Sequence, residues 1–457
     1  MSNETDLVIL GGGSGGYATA LRARQLGLAV TLVERDRLGG TCLHRGCVPT
    51  KALLHAAELA DAARAAPAHG VLASFDGVDM AGVHAFMDRV VDRLHVGLQG
   101  LVKASGVTWV EGEGRMVGPR SVEVGGQVHT GTNLVLATGS SPRSIPGVEL
   151  GSRVVTSDQA LRLDEVPERV VVIGGSVIGV ELASVWRSFG AEVTIVEGLP
   201  SLVPLEDPAI GKQLERAFRR RGIGFRCNAM VRGVASSASE AAVTLEDGDV
   251  LTADLVLVAV GRGPVSAGLG YEDNGVELDR GWVTVDDRLR TSVPGVYAVG
   301  DLVPGLQLAH RGFAHGIFVA EEIAGLSPDP VEDVAIPRVT YCEPEIASVG
   351  LTEPEARGAL GDVDVHEYDL AGNGKSQILG TAGFVKVVRQ ADGPIVGVHM
   401  LGSRMGEQVG EASLMVGWEA FPEDVAHFVH AHPTQNEALG EAALALAGKP
   451  LHAHGGG

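Results

Sequence analysis

Aromatic side chains make up only 4% of the 457 residues. That leaves few rings for the stacking platforms that single-stranded nucleic acids need. Positive charge is short as well: 36 Lys and Arg stand against 57 Asp and Glu, a net charge of −21. A phosphate backbone is therefore a poor partner, and no nucleic acid is expected. No apolar run reaches the roughly 18 residues of a membrane span, so no insertion is expected. The start, Met1-Ser2-Asn3-Glu4-Thr5-Asp6, lacks a basic segment, and the apolar run behind it ends at once in glycines; a secretory signal is not expected. Cysteine is rare, with four in the chain. With no export signal, few cysteines fit a reducing cytoplasm.

Glycine is what the chain has in plenty: 64 residues, about twice the usual share. No short period accounts for them, so many belong in tight turns and cofactor loops. Residues 6–10 form a short apolar run that suits a buried parallel strand. The loop Gly11-Gly12-Gly13-Ser14-Gly15-Gly16 follows, then a helical segment over residues 17–26 and a strand over residues 29–33 ending on Glu34. This is a βαβ unit with GxGxxG at Gly11, Gly13 and Gly16. Its glycines let the backbone approach a pyrophosphate at a helix N-terminus, and the acid suits the ribose hydroxyls of adenosine.

The pattern recurs. A strand over residues 169–173 leads into Gly174-Gly175-Ser176-Val177-Ile178-Gly179, a helix over 180–189, and a strand ending on Glu197. Two such units imply two dinucleotides. Ser176 stands where the middle glycine is usual; it narrows the approach to pyrophosphate, while its hydroxyl can donate. Glu197 repels a 2′-phosphate, and residues 198–203 hold no Lys or Arg, which favours NAD over NADP.

Between the units lies Leu38-Gly39-Gly40-Thr41-Cys42-Leu43-His44-Arg45-Gly46-Cys47-Val48-Pro49-Thr50-Lys51. Two cysteines five positions apart precede a helical run, with Pro49 in its first turn. Such a bend can bring the Cα atoms within disulfide range. The helix N-terminus and Arg45 both favour a thiolate. A structural disulfide or half a zinc site stays open at this point, although zinc needs two more ligands and Cys227 and Cys342 are far away. No metal is expected.

Helices are predicted from the redox stretch to about residue 64 and over about 83–104, and short strands over 108–135. Leu134-Val135-Leu136-Ala137-Thr138-Gly139 is a buried strand ending in a small-residue turn. Residues 251–260 read as one buried strand before Gly261-Arg262-Gly263-Pro264, and Gly295–Asp301 as another strand whose closing Asp301 can accept from a ribityl hydroxyl. From about residue 336 a separate α+β domain begins, and Gly455-Gly456-Gly457 read as a flexible tail. In it, His430-Ala431-His432-Pro433-Thr434-Gln435-Asn436-Glu437 introduces the last helix, with Thr434 as N-cap and Glu437 closing a capping box. Glu437 can also orient His432, whose pKa near 6.5 suits a proton acceptor.

These segments together resemble the flavin-dependent pyridine nucleotide–disulfide oxidoreductases. The resemblance covers nearly the whole chain, and the cysteine and His-Pro-Thr segments are its specific marks. It implies an α/β fold: two Rossmann-like domains for FAD and NAD plus a C-terminal α+β dimerisation domain. The implied division is residues 1–150 and 273–335 for FAD, 151–272 for NAD, and 336–457 for the interface. Carried over, Gly11, Gly13, Gly16, Glu34, Lys51, Gly114, Thr138, Gly139, Asp301 and His310 lie near FAD. Gly174, Ser176, Gly179, Glu181, Glu197 and Gly261 serve NAD, with Glu181 also paired to Lys51. The family is a homodimer, so His432 would face the partner's cysteines. The implied activity is oxidation of a protein-bound dihydrolipoyl group by NAD⁺, on lipoyl domains of 2-oxo acid dehydrogenase or related complexes. His432 takes a proton, the substrate thiolate attacks Cys42 of a redox-active disulfide, and Cys47 leaves beside the flavin. An NAD(P)H-dependent reductase of a small disulfide is the alternative, as is a flavin NADH oxidase or transhydrogenase. Departures from the family pattern are Ser176, His44-Arg45 between the cysteines, and His315 where Glu is common.

Overall fold

A computed structural model of the chain describes residues 3–453; the chain start Met1-Ser2 and the glycine tail lie outside them. Three sheets carry the molecule. In the first, the strands run in the order Thr108–Glu111, Val30–Glu34, Asn3–Leu10, Gln127–Leu136, Ser121–Val124 and Gly114–Gly118. Val296–Ala298 comes back from far along the chain to pair parallel with Gln127–Leu136. The second sheet is parallel throughout, in the order Ile223–Arg226, Glu192–Val196, Arg169–Ile173, Leu255–Val258 and Val154–Thr156. Its central strands carry apolar runs, residues 170–173 and Leu255–Val258, because both faces are covered. The third is antiparallel, in the order Arg338–Thr340, Glu345–Gly350, Ile395–Gly402, Phe384–Gln390 and Val363–Asp369. The helices Val409–Gly417 and Glu437–Leu446 pack on it around Met400, Met405 and Leu439.

Several local expectations shift. The first loop's helix is Ser14–Gln25, starting three residues earlier than the pattern suggests. Glycines disfavour helix by about 1 kcal/mol each, but here they permit close packing. A Cβ at Gly16 would lie 1.8 Å from Gly11 O, and one at Gly316, on the neighbouring helix Ala309–Ile323, 2.5 Å from Gly15 O. Residues 251–260 are not one strand. Val250–Ala253 joins a small antiparallel sheet and Leu255–Val258 the parallel one. The break is Asp254, whose carboxylate accepts from Arg169 N at 2.9 Å and from its guanidinium at 2.8 Å. At the last helix the N-cap is Asn436 rather than Thr434. The reciprocal Thr434–Glu437 bonds still form, at 3.3 and 3.4 Å, around the turn that precedes the helix.

Candidate active site

The redox stretch folds as two helices with a break between them. Gly40–His44 carries Cys42, and Cys47 is the first residue of Cys47–Ala65. The turn before them closes against the first nucleotide loop: a Cβ on Gly40 would come 2.7 Å from Gly13 Cα. Cys47 therefore sits where a long helix presents its free N–H groups.

The cysteines stand as free thiols in side-chain contact rather than as a closed disulfide. The neighbouring Cys42 thiol, helped by the Lys51 ammonium against burial, brings the Cys47 pKa down to about 7. The same contact, with burial, pushes Cys42 far up. The two thiols are thus unlike, with Cys47 the more acidic of the pair. The remaining cysteines differ. Burial and Glu215 push Cys227 up to about 11, and Cys342 is buried and donates to Pro344 O at 3.1 Å.

Both thiols open into a cavity of about 1630 Å³, larger than the roughly 300–1,000 Å³ of a compact ligand site and suited to an extended one. Gly11, Gly13 and Glu34 line one end; Gly114, Thr138, Gly139, Asp301 and His310 line the walls. The Glu34 carboxylate is held by Gly12 N at 2.6 Å and Asp36 N at 2.8 Å, which leaves acceptor capacity toward the cavity. Thr138 Oγ1 donates to Val265 O at 2.6 Å, and Ser140 Oγ donates to Asp301 Oδ2 at 2.6 Å. His310 Nε2 is bonded to Pro337 O at 2.7 Å. A glycine cradle, an acid at the adjacent strand end and walls running to the cysteines fit a long dinucleotide such as FAD.

Lys51 lies under this cavity. Its Nζ contacts both oxygens of Glu181 at 2.9 Å and stands 4.8 Å from the Tyr341 ring centre. Burial opposes the Lys51 charge, but Glu181 outweighs it and holds the pKa above the usual value. Glu181, only 2% exposed, also accepts from Tyr341 N at 2.8 Å. It therefore faces the redox helix, although it was grouped with the second nucleotide loop.

That loop repeats the first one's geometry away from the cavity. A Cβ on Gly179 would lie 1.9 Å from Gly174 O. Glu197 accepts from Gly175 N at 2.7 Å and Leu199 N at 2.8 Å. Ser176 has φ −89°, which any residue adopts, so its departure from glycine carries no backbone strain. Gly261 turns at φ +98° next to Arg143, whose N donates to its carbonyl at 3.0 Å. Of this unit, Val177, Ile178 and Glu181 reach the cavity.

His432 lies elsewhere. It is 74% exposed, with Nδ1 bonded to Glu437 Oε2 at 3.0 Å, and it is not part of the cavity of its own chain. His44, between the cysteines, spends Nε2 on Leu38 O at 2.8 Å, and its burial lowers its pKa; it holds the loop. His315 accepts from Gly300 N at 3.3 Å through Nδ1 and is kept neutral, its pKa lowered by burial to about 4. Sequence reasoning passed over Arg262 and Tyr341, both on the cavity wall. Arg262 follows a turn whose glycine drew the attention, and no local pattern marks Tyr341.

A paired thiol on a dinucleotide cavity, beside a second nucleotide loop, defines a class. The family model "Pyridine nucleotide-disulphide oxidoreductase" matches residues 5–316, and the dimerisation domain of the same family matches residues 336–443. The chain belongs to the pyridine nucleotide-disulphide oxidoreductases. It is 39% identical to a dihydrolipoyl dehydrogenase of Bacillus subtilis, covering 99% of this chain and 100% of that protein. It is 40% identical to leghemoglobin reductase of Vigna unguiculata, covering 99% of this chain and 89% of that protein. Among solved structures, LpdA of Mycobacterium tuberculosis superposes with a TM-score of 0.91 at 26% identity, covering 96% of this chain and 99% of that one. Among the described residues no helix is long and apolar enough to cross a membrane, and no His, Cys, Asp and Glu cluster could hold a metal ion.

Proposed function

We propose that this chain oxidises a protein-bound dihydrolipoyl dithiol to the cyclic disulfide and passes the electrons to NAD⁺ through FAD and the Cys42–Cys47 pair. The observation that carries the reading is the thiol pair itself: Cys42 and Cys47 share the wall of a dinucleotide-sized cavity, with Cys47 at the start of a long helix and the more acidic of the two. Gly11, Gly13, Glu34, Thr138 and Asp301 would hold FAD, which when bound supplies the electron relay between the thiolate and the nicotinamide. Gly174, Ser176, Gly179, Glu197 and the Gly261 turn would hold NAD. Residues 1–150 with 273–335, residues 151–272 and residues 336–457 are read as the FAD, NAD and interface domains, and the cytoplasm as the location.

The chemistry of the chain's own residues follows. In the oxidised pair, a substrate thiolate attacks Cys42 Sγ. The Cys42–Cys47 bond breaks and its electron pair stays on Cys47. The substrate's second thiol, deprotonated in turn, then attacks the substrate sulfur bonded to Cys42, which closes the cyclic disulfide and releases Cys42 as its thiol. A free thiol near pKa 8.5 is only about 3% ionised at pH 7, so the substrate needs a base. His432 takes the proton, with Glu437 fixing the ring through Nδ1 and leaving Nε2 free to accept. Because His432 projects away from its own chain's cysteines, the reading places it over the cysteines of a second copy. The Lys51 ammonium, neutralised by Glu181 on its far side, favours negative charge at Cys47. Glu197, with no cation in the following loop, selects NAD⁺. Anaerobic titration with dihydrolipoamide, followed by NAD⁺, tests this. The expected result is a bleached and altered flavin spectrum that recovers on adding NAD⁺ with NADH formed. A protein that is colourless as isolated, or that is reduced by NADPH in preference to NADH, would refute it. In His432→Ala, turnover should fall by about 10²–10⁴-fold with flavin retained.

A further inference from the structure

One charged group on the cavity wall has no part in these steps. Arg262 follows the Gly261 turn of the second unit, and Arg262–Pro264 pairs antiparallel with Ser140–Pro142 of the first. Across that pairing, Arg262 Nε donates to Ser140 Oγ at 2.8 Å and Nη2 to Ser140 O at 2.7 Å. The Ser140 hydroxyl then donates to Asp301 Oδ2 at 2.6 Å. A residue of the nicotinamide half thus fixes, through one hydroxyl, the carboxylate assigned to the flavin half. Arg262, Ser140, Asp301 and Cys47 line the same cavity.

The guanidinium's hydrogen bonds go to the neutral oxygens of Ser140, and among the described residues it makes no direct ion pair. Of its five N–H groups, three stay unused. A guanidinium that makes no ion pair and spends both of its bonds on one serine is held there for that serine, and through the serine's hydroxyl for Asp301.

We propose that Arg262 is a positioning residue: through Ser140 it fixes the Asp301 carboxylate, so that a residue of the second nucleotide unit sets how tightly the first holds its flavin. This rests on the function proposed above. The experiment uses holoenzyme, with FAD affinity measured by equilibrium dialysis. Ser140→Ala removes both the Arg262 Nε bond and the link to Asp301 and should weaken FAD binding by about tenfold. Arg262→Gln should weaken it by a similar factor, and Arg262→Lys should restore part of it. Because the two residues act along one path, the double variant should bind FAD no more weakly than Ser140→Ala alone. Unchanged FAD affinity in Ser140→Ala, or losses that multiply in the double variant, overturns the proposal; Ser140→Ala keeps it testable if Arg262→Gln does not fold. Wild-type enzyme that binds no flavin overturns the functional reading instead.

Discussion

The two nucleotide loops are nearly the same object built twice. Gly11 and Gly174 both turn at φ +108°, and Glu34 and Glu197 take the equivalent loop N–H at 2.6 and 2.7 Å. What differs is the cover. The first loop opens into the cavity shared with the thiols, Gly11, Gly13 and Gly15 on its wall, while the other side of its helix packs against Gly312 and Gly316 of Ala309–Ile323. The second loop's Gly174, Gly175 and Ser176 lie outside that cavity, and only Val177, Ile178 and Glu181 of the helix behind them reach it. On the proposed function the same turn would hold one nucleotide enclosed with the thiols and another on the far side of the second sheet's loop.

That comparison can be broken in order of effect. Gly16→Ala puts a Cβ 1.8 Å from Gly11 O, and overpacking of this kind costs about 1–3 kcal/mol. The protein should lose most of its flavin on isolation, read from the absorbance-to-protein ratio. Gly179→Ala, with its Cβ 1.9 Å from Gly174 O, should keep its flavin and its reduction by dihydrolipoamide while the KM for NAD⁺ rises steeply. If both variants lose flavin equally, the division of labour is wrong. Glu197→Gln removes the charge but keeps an acceptor for the loop; it should weaken NAD⁺ by about tenfold and narrow the preference over NADP⁺. Ser176→Gly should change NAD⁺ affinity least, by less than about tenfold, because the serine backbone is unstrained. On the thiol side, alkylation of reduced enzyme should rise through pH about 7. The thiolate is present above that value and lost below it; a rise centred near 8.5 would mean that Cys42 and the Lys51 charge do not act on Cys47.

Both loops and the cysteine stretch were legible in the sequence because their constraints are local: a glycine where a Cβ would strike backbone, an acid at the next strand end, a helix start behind a thiol. The break at Asp254 was not, since most of residues 251–260 are apolar and the partner, Arg169, is 85 residues away. The start of the first helix at Ser14 was missed because propensity argues against Gly15 and Gly16, and only the opposing helix explains them. The contact of Lys51 with Glu181 came through family resemblance, for nothing local to either residue indicates the other. Arg262 was hidden for the same reason: its partner Ser140 lies 122 residues earlier.

Lys51 and Glu181 stand on different helices, Cys47–Ala65 and Val177–Phe189. A lysine lost at 51 would leave the carboxylate behind it buried and alone, at about 3–5 kcal/mol. One charge pair thus stitches the thiol-bearing helix to the second lobe, and the two answer to each other at that stitch.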